Sequence, residues 1–80
     1  MVRLSKHTVD EMEGRGILFS YIKAALASPD RLARDATDLG LTRSYKAIPE
    51  FGSRVLRVVH RPDNGDVFVV TAHWDRGVKL

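Results

Sequence analysis

Histidine and arginine are the side chains of this 80-residue chain with chemistry to offer. A neutral imidazole takes up and returns a proton near pH 7, and a guanidinium stabilises negative charge building on a phosphorus. Together they suit cleavage of RNA by attack of a 2′-hydroxyl. The histidines are His7, His60 and His73. Arg57 lies in the middle of the run Ser53-Arg54-Val55-Leu56-Arg57-Val58-Val59-His60. An arginine among β-branched residues needs an open cleft or a carboxylate, since burying it unpaired costs several kcal/mol. Glu11, Asp10 and a loop aspartate are the candidate partners. Strand alternation divides the candidates into two sets. One is Arg57 with Thr71, His73 and either Tyr45 or Arg43. The other is Arg54 and His60 with Lys46. Each histidine can equally be a hydrogen-bonded structural residue, and His60 reads most simply as an exposed strand end. Tyr45, Phe51 and Trp74 offer ring faces to bases or to the core.

Stronger motifs are missing. The chain has no P-loop, dinucleotide glycine fingerprint, nucleophile elbow or His-Glu-x-x-His helix. His7 and Glu11 are four apart and share a helical face, but two ligands do not make a metal site. No cysteine is present. Neither a metal nor another cofactor is therefore expected, and disulfides cannot compensate for a small core.

The elements that must position these residues read as follows. The spacing predicts a helix over 4–13, with Ser5 as N-cap or a start one turn later at the capping box Thr8-Val9-Asp10-Glu11. Gly14 and Gly16 stop it. A second helix is predicted over 17–28, where Leu18, Ile22, Ala25 and Leu26 make an apolar stripe and Pro29 ends it. Residues 30–41 are read as a short irregular strand and a turn. Strands follow at 42–48, 53–60 and 67–74. The turn Arg61-Pro62-Asp63-Asn64-Gly65-Asp66 joins the last two, with proline presetting its first angle and Asn-Gly supplying positive φ. In the last strand Val67, Val69, Thr71 and His73 are assigned to one face. The expected architecture is one α+β domain, residues 1–80, with two N-terminal helices on a three- to four-stranded antiparallel sheet.

The net charge is +3, in a chain whose hydrophobic fraction is 44%. Acids and bases balance before Thr42. Beyond it Arg43, Lys46, Arg54, Arg57, Arg61, Arg76 and Lys79 face Glu50, Asp63, Asp66 and Asp75, so the excess lies on the sheet. A one-sided basic surface attracts phosphate or acidic partners, with Arg43, Lys46, Arg54 and Arg57 as the nucleic-acid-binding candidates. Such a surplus also serves solubility alone. No apolar run approaches the roughly 20 residues of a membrane span, and no signal peptide is read, so a soluble cytoplasmic protein is expected. A chain this short buries only about 60–65% of its unfolded surface, which makes a homodimer a partner to consider.

Several segments carry a family resemblance. They are Ser5-Lys6-His7, Arg15-Gly16-Ile17, Pro29-Asp30, Leu56-Arg57-Val58-Val59 and Val69-Val70-Thr71-Ala72. In this order the chain resembles small prokaryotic proteins of unknown function related to BrnT and, more distantly, to RelE/ParE-type toxins. The resemblance spans nearly the whole chain. It implies a RelE-like fold of two helices followed by an antiparallel sheet. It also implies a toxin acting on mRNA, the ribosome or gyrase, with a cognate antitoxin. His7, Arg15, Arg57 and Thr71 fall on matching positions. Met12 and Gly14 depart from the pattern, at places where relatives often carry an arginine and an acid. Two readings stay open: a toxin-like endoribonuclease whose catalytic candidates are His7, Arg15, Arg57, Thr71 and His73, and a non-catalytic module binding protein or nucleic acid through its basic sheet.

Overall fold

Asn64 and Gly65 both have positive φ, 51° and 84°, the geometry of a two-residue hairpin turn. Asp63 and Asp66 pair across it. The computed structural model describes all 80 residues. Its elements are β1 (Val2–Leu4), α1 (Lys6–Arg15), α2 (Phe19–Ala27), β2 (Arg31–Arg34), β3 (Thr42–Ile48), a single 3-10 turn (Pro49–Phe51), β4 (Arg54–Asp63) and β5 (Asp66–Asp75). One five-stranded sheet has the order β1-β5-β4-β3-β2. The run around Arg57 is thus the central strand.

Two expectations need correction. A strand precedes the helices, so these are not both N-terminal to the sheet, and the sheet is mixed. β1 pairs parallel to β5, Val2 with Val67 and Leu4 with Val69, while the other pairings are antiparallel. Three residues show no periodicity of their own. Only the distant edge of β5 makes them a strand. Pro62 does not open the turn either; it lies within β4, opposite Val67.

α1 continues the covering of β5 that β1 begins. The Ser5 amide donates to the Val69 carbonyl (3.0 Å) and the Ser5 hydroxyl to the Val70 carbonyl (2.7 Å). The same hydroxyl oxygen accepts the Thr8 amide (3.0 Å), so Ser5 both caps α1 and ties it to the sheet. Thr8, fully buried, donates its hydroxyl to Val69 (3.1 Å). Gly16, at φ 68°, closes the helix in the left-handed conformation as expected, with Arg15 rather than Glu13 as the last helical residue.

α2 covers one face of the sheet. Tyr21, Ile22 and Ala25 pack with Ile17 against Ile48, Leu56, Val58, Val69 and Ala72. The predicted apolar stripe holds at three of its four positions, with Leu26 packed against the core as a partly buried side chain. Ile22 and Ala25 are fully buried, whereas Leu18 becomes the N-cap and is 54% exposed.

The face assigned to Val69 is also corrected. Thr71 pairs with Val59 but Val69 with His60, a bulge that gives β5 one extra residue. A single inserted residue flips the alternation. Val69 therefore joins the core while Thr71 and His73 face away from α2.

His60 proves to be structural. Its Nε2 lies 2.7 Å from the hydroxyl of buried Ser44. Burial pushes its imidazole below the ordinary value of 6.5, as it does at His73. A histidine with a depressed folded pKa binds fewer protons folded than unfolded as pH drops below the unfolded value. Its contribution is therefore present above about pH 6.5 and is lost as pH falls through the folded pKa. Urea unfolding from neutral to mildly acid pH is expected to show this fall, with a shallower slope for His60→Gln. An unchanged slope would contradict the assignment.

Candidate functional site

On the face away from α2, β4 presents Arg57 and β5 presents Thr71, His73 and Asp75. Arg57 and His73 are direct register partners, as are Val59 and Thr71. The Thr71 hydroxyl lies 2.8 Å from His73 Nε2. On its other side His73 Nδ1 lies 3.6 Å from Glu11 Oε2, delivered by α1. The helix repeat then adds two neighbours at i−4 and i+4. His7 Nε2 is 4.0 Å from Glu11 Oε1, and Arg15 Nε is 3.6 Å from Glu11 Oε2. The two imidazoles meet edge to face with centroids 5.9 Å apart.

Glu11 is therefore the hub, touching both histidines and one arginine. Its side chain is 20% exposed, against 59% for His7. The carboxylate is held by its neighbours while His7 stands open to solvent. Burial lowers the pKa of His73; Arg57, His7 and Arg15 push the same way, and Glu11 opposes them. His73 is thus biased towards the neutral imidazole, which can accept a proton.

Arg57 closes an ion pair with Asp75 (3.5 Å) rather than with Glu11 or Asp10. Asp75 also accepts the amides of Gly77 (2.8 Å) and Val78 (3.1 Å), so it anchors the tail. Arg57 Nε is buried without a hydrogen-bond partner. An unpaired buried donor costs about 1–3 kcal/mol, so an arginine kept here calls for an explanation beyond stability.

The structure gathers His7, Arg15, Arg57, Thr71 and His73 at one place, across α1, β4 and β5. It does not bring the other basic candidates there. Arg43 shares the face of Arg57, opposite Val59, as expected, but donates to Asp35 (2.9 Å) towards the β2 edge, and that carboxylate also accepts the amides of Thr37 and Asp38. Arg43, together with the hydroxyl and amides around it, holds Asp35 well below the usual carboxylate range. Lys46 pairs with Leu56 on the α2 side and lies 3.8 Å from Asp30. Arg54, opposite Ile48 on the α2 face of β4, does not touch the cluster but lines the same cleft as Glu11, Arg15 and His73. Tyr45 is buried between its register partners Arg31 and Arg57. Phe51 stacks on Trp74 at 4.3 Å, and Trp74 tilts against Tyr21 at 6.1 Å, so these rings serve the core.

Sequence reading undervalued Glu11, which figures there only as a helix-face neighbour and a candidate ion-pair partner. Its positions relative to His7 and Arg15 carried the signal; His73 was the piece that needed the fold. No group of three or more His, Asp or Glu side chains is placed to hold a metal ion. No helix is long and apolar enough to cross a membrane.

The family model for a domain of unknown function, DUF4258, matches residues 4–74. The match runs from the end of β1 almost to the end of β5, and the chain belongs to this family. No curated protein and no solved structure gives a significant match.

Proposed function

We propose that this member of the DUF4258 family is a toxin-like module that cleaves RNA without a metal, acts in the cytoplasm and is restrained by a cognate antitoxin. The observation that supports it most is the contact cluster His7–Glu11–His73, with Arg15 against Glu11 and Arg57 opposite His73. The proposal includes the kinship to BrnT and RelE/ParE-type toxins that the sequence segments suggest, with mRNA, free or on the ribosome, as substrate.

In this reading Glu11 faces His73 Nδ1 and favours the proton there, which leaves the Nε2 lone pair towards the Thr71 hydroxyl. The 2′-hydroxyl of the substrate takes the place of Thr71 and gives its proton to Nε2. Its oxygen bonds to phosphorus, the bond from phosphorus to the 5′-oxygen breaks, and protonated His7 supplies the proton to that leaving oxygen. The products are a 2′,3′-cyclic phosphate and a 5′-hydroxyl. Arg57 and Arg15 stabilise the charge on the five-coordinate phosphorus.

The test is induction of the chain in cells, wild type against Arg57→Gln, with growth followed and total RNA examined. Wild type should arrest growth and fragment RNA. Arg57→Gln should do neither, at an unfolding midpoint close to wild type. Intact RNA and normal growth with the wild-type chain would sink the proposal. The alternative, a non-catalytic module, draws support from the same basic face and predicts binding without cleavage.

A further inference from the structure

A cleft of about 470 Å³ opens where the end of α1 meets the ends of β4 and β5. Arg15, Arg54 and Arg76 line it, with Glu11, His73 and Trp74. His73 and Trp74 are consecutive on β5, and their neighbours in register, Arg57 and Leu56, lie on opposite faces. The cleft therefore wraps round the edge of β5 and connects the open face, with its histidines, to the arginines behind.

Ion pairs engage Arg3, Arg15, Arg43, Arg57 and Arg61, whereas Arg31, Arg34, Arg54 and Arg76 have no carboxylate; of these four, Arg54 and Arg76 line one cleft together. Three guanidinium groups face a single carboxylate, Glu11. Arg54 lies over the Phe51 ring at 5.9 Å, an arrangement that holds its stem and leaves its donors free.

The cleft does not suit a base. Trp74 is its one aromatic wall, and that ring is covered by Phe51 at 4.3 Å and an 8° interplanar angle. Tyr21 tilts against it at 6.1 Å, and its Nε1–H donates to the Arg15 carbonyl at 2.8 Å. Gly14 completes the wall, and a Cβ there would meet no protein atom within 4 Å. Glycine inside a helix costs roughly 0.5–1 kcal/mol relative to alanine, and the packing of this chain does not require it. It keeps the wall bare beside the guanidinium groups.

We propose that Arg54 and Arg76 form a phosphate subsite, beside the Arg15 that serves the reacting phosphorus, and that it receives the phosphodiester adjacent to the one being cleaved. The substrate is then a single-stranded RNA with at least two successive phosphates, and a lone internucleotide bond is a poor one. The subsite rests on the RNA-cleaving reading of the His7–Glu11–His73 cluster. Arg76 lies beyond the residues 4–74 that the family model matches, so this chain places one of the subsite's two cations outside that segment.

The probes are adenosine 3′,5′-bisphosphate and adenosine 5′-monophosphate, titrated calorimetrically into the full chain at low salt. The bisphosphate should bind about tenfold or more tightly than the monophosphate, since a second charged set of hydrogen bonds is made. Arg54→Gln and Arg76→Gln should each remove most of that advantage; both side chains are exposed, so the fold tolerates the change. Variants that bind the bisphosphate like wild type would overturn the subsite, as would a wild type that does not prefer it. A cleavage arm separates the two claims. Bisphosphate binding through Arg54 and Arg76 with no RNA cleavage would leave the subsite standing and remove the nuclease. Equal cleavage of a dinucleoside monophosphate and a longer strand, unaffected by both variants, would do the reverse.

Discussion

A Glu11→Gln chain is expected to cleave RNA about 10²- to 10⁴-fold more slowly than wild type, the range for loss of general acid–base catalysis. The substitution keeps size and shape and removes only the charge. Three contacts change with it: Nδ1 of His73 at 3.6 Å, Nε2 of His7 at 4.0 Å and Nε of Arg15 at 3.6 Å. Without the anion, nothing fixes the proton on His73 Nδ1, and the tautomer with a free Nε2 loses its preference. His7 loses the carboxylate that lies 4.0 Å from its Nε2 and helps to place its ring. Both proton-transfer groups are thus impaired by one change.

Stability offers the control. Glu11 makes only ion pairs near the surface, each worth about 0–1 kcal/mol, so the variant should unfold close to wild type. The pH profile adds a readout with a definite sign. His73 must be neutral to act as base, and its pKa lies below 6.5, so the acid limb of kcat/KM should fall below that value. Glu11 is the neighbour that raises the His73 pKa, so the residual activity of Glu11→Gln should have its acid limb at still lower pH. Wild-type cleavage by Glu11→Gln, or an acid limb moving upward, would remove Glu11 from the mechanism.

Ile22→Ala should have the largest effect on folding. Ile22 is fully buried between α2 and the sheet, in the cluster with Leu56, Val58 and Val69. Truncating such a side chain costs about 2–5 kcal/mol, through lost transfer energy and the cavity left behind. A chain of this length has a total stability of roughly 4–12 kcal/mol, so much of it would go. The melting midpoint should fall by roughly 8–40 °C, at about 4–8 °C per kcal/mol for a domain of this size. Leu18→Ala is the comparison. The two residues occupy the same predicted stripe, yet Leu18 is 54% exposed and its loss should change the midpoint little. Thermal unfolding of the two variants side by side decides the matter, and equal shifts would contradict the packing described.

The two residues also show what could be read without coordinates. A 3.6-residue repeat marks which side of a helix is apolar, and Ile22 and Ala25 followed it. It does not say where the helix begins, and Leu18 fell at the boundary. The Ser5 cap, the Gly16 stop and the Asn64-Gly65 turn were legible because each rests on local backbone geometry. So was the shared face of Arg57, Thr71 and His73, apart from the bulge that moved Val69 to the core. Arg43 and Lys46 looked equally available for phosphate, because no local rule reveals that Asp35 and Asp30 reach them.

By itself the sequence determined the elements whose causes lie within a few residues: both helices, the β4–β5 hairpin, and a basic sheet with Arg57 in its middle strand. Only the tertiary structure decided that Val2–Leu4 is a strand, that the sheet is mixed, and that Glu11 sits between His7 and His73. The physical reason is separation along the chain. Glu11 and His73 are brought together because β1 pairs with β5 and Ser5 then anchors α1 along the remaining edge of that strand. Neither contact leaves a periodic trace in the residues that make it. A cap, a turn or an apolar stripe is written in neighbouring residues, whereas a site of this kind exists only where distant segments meet.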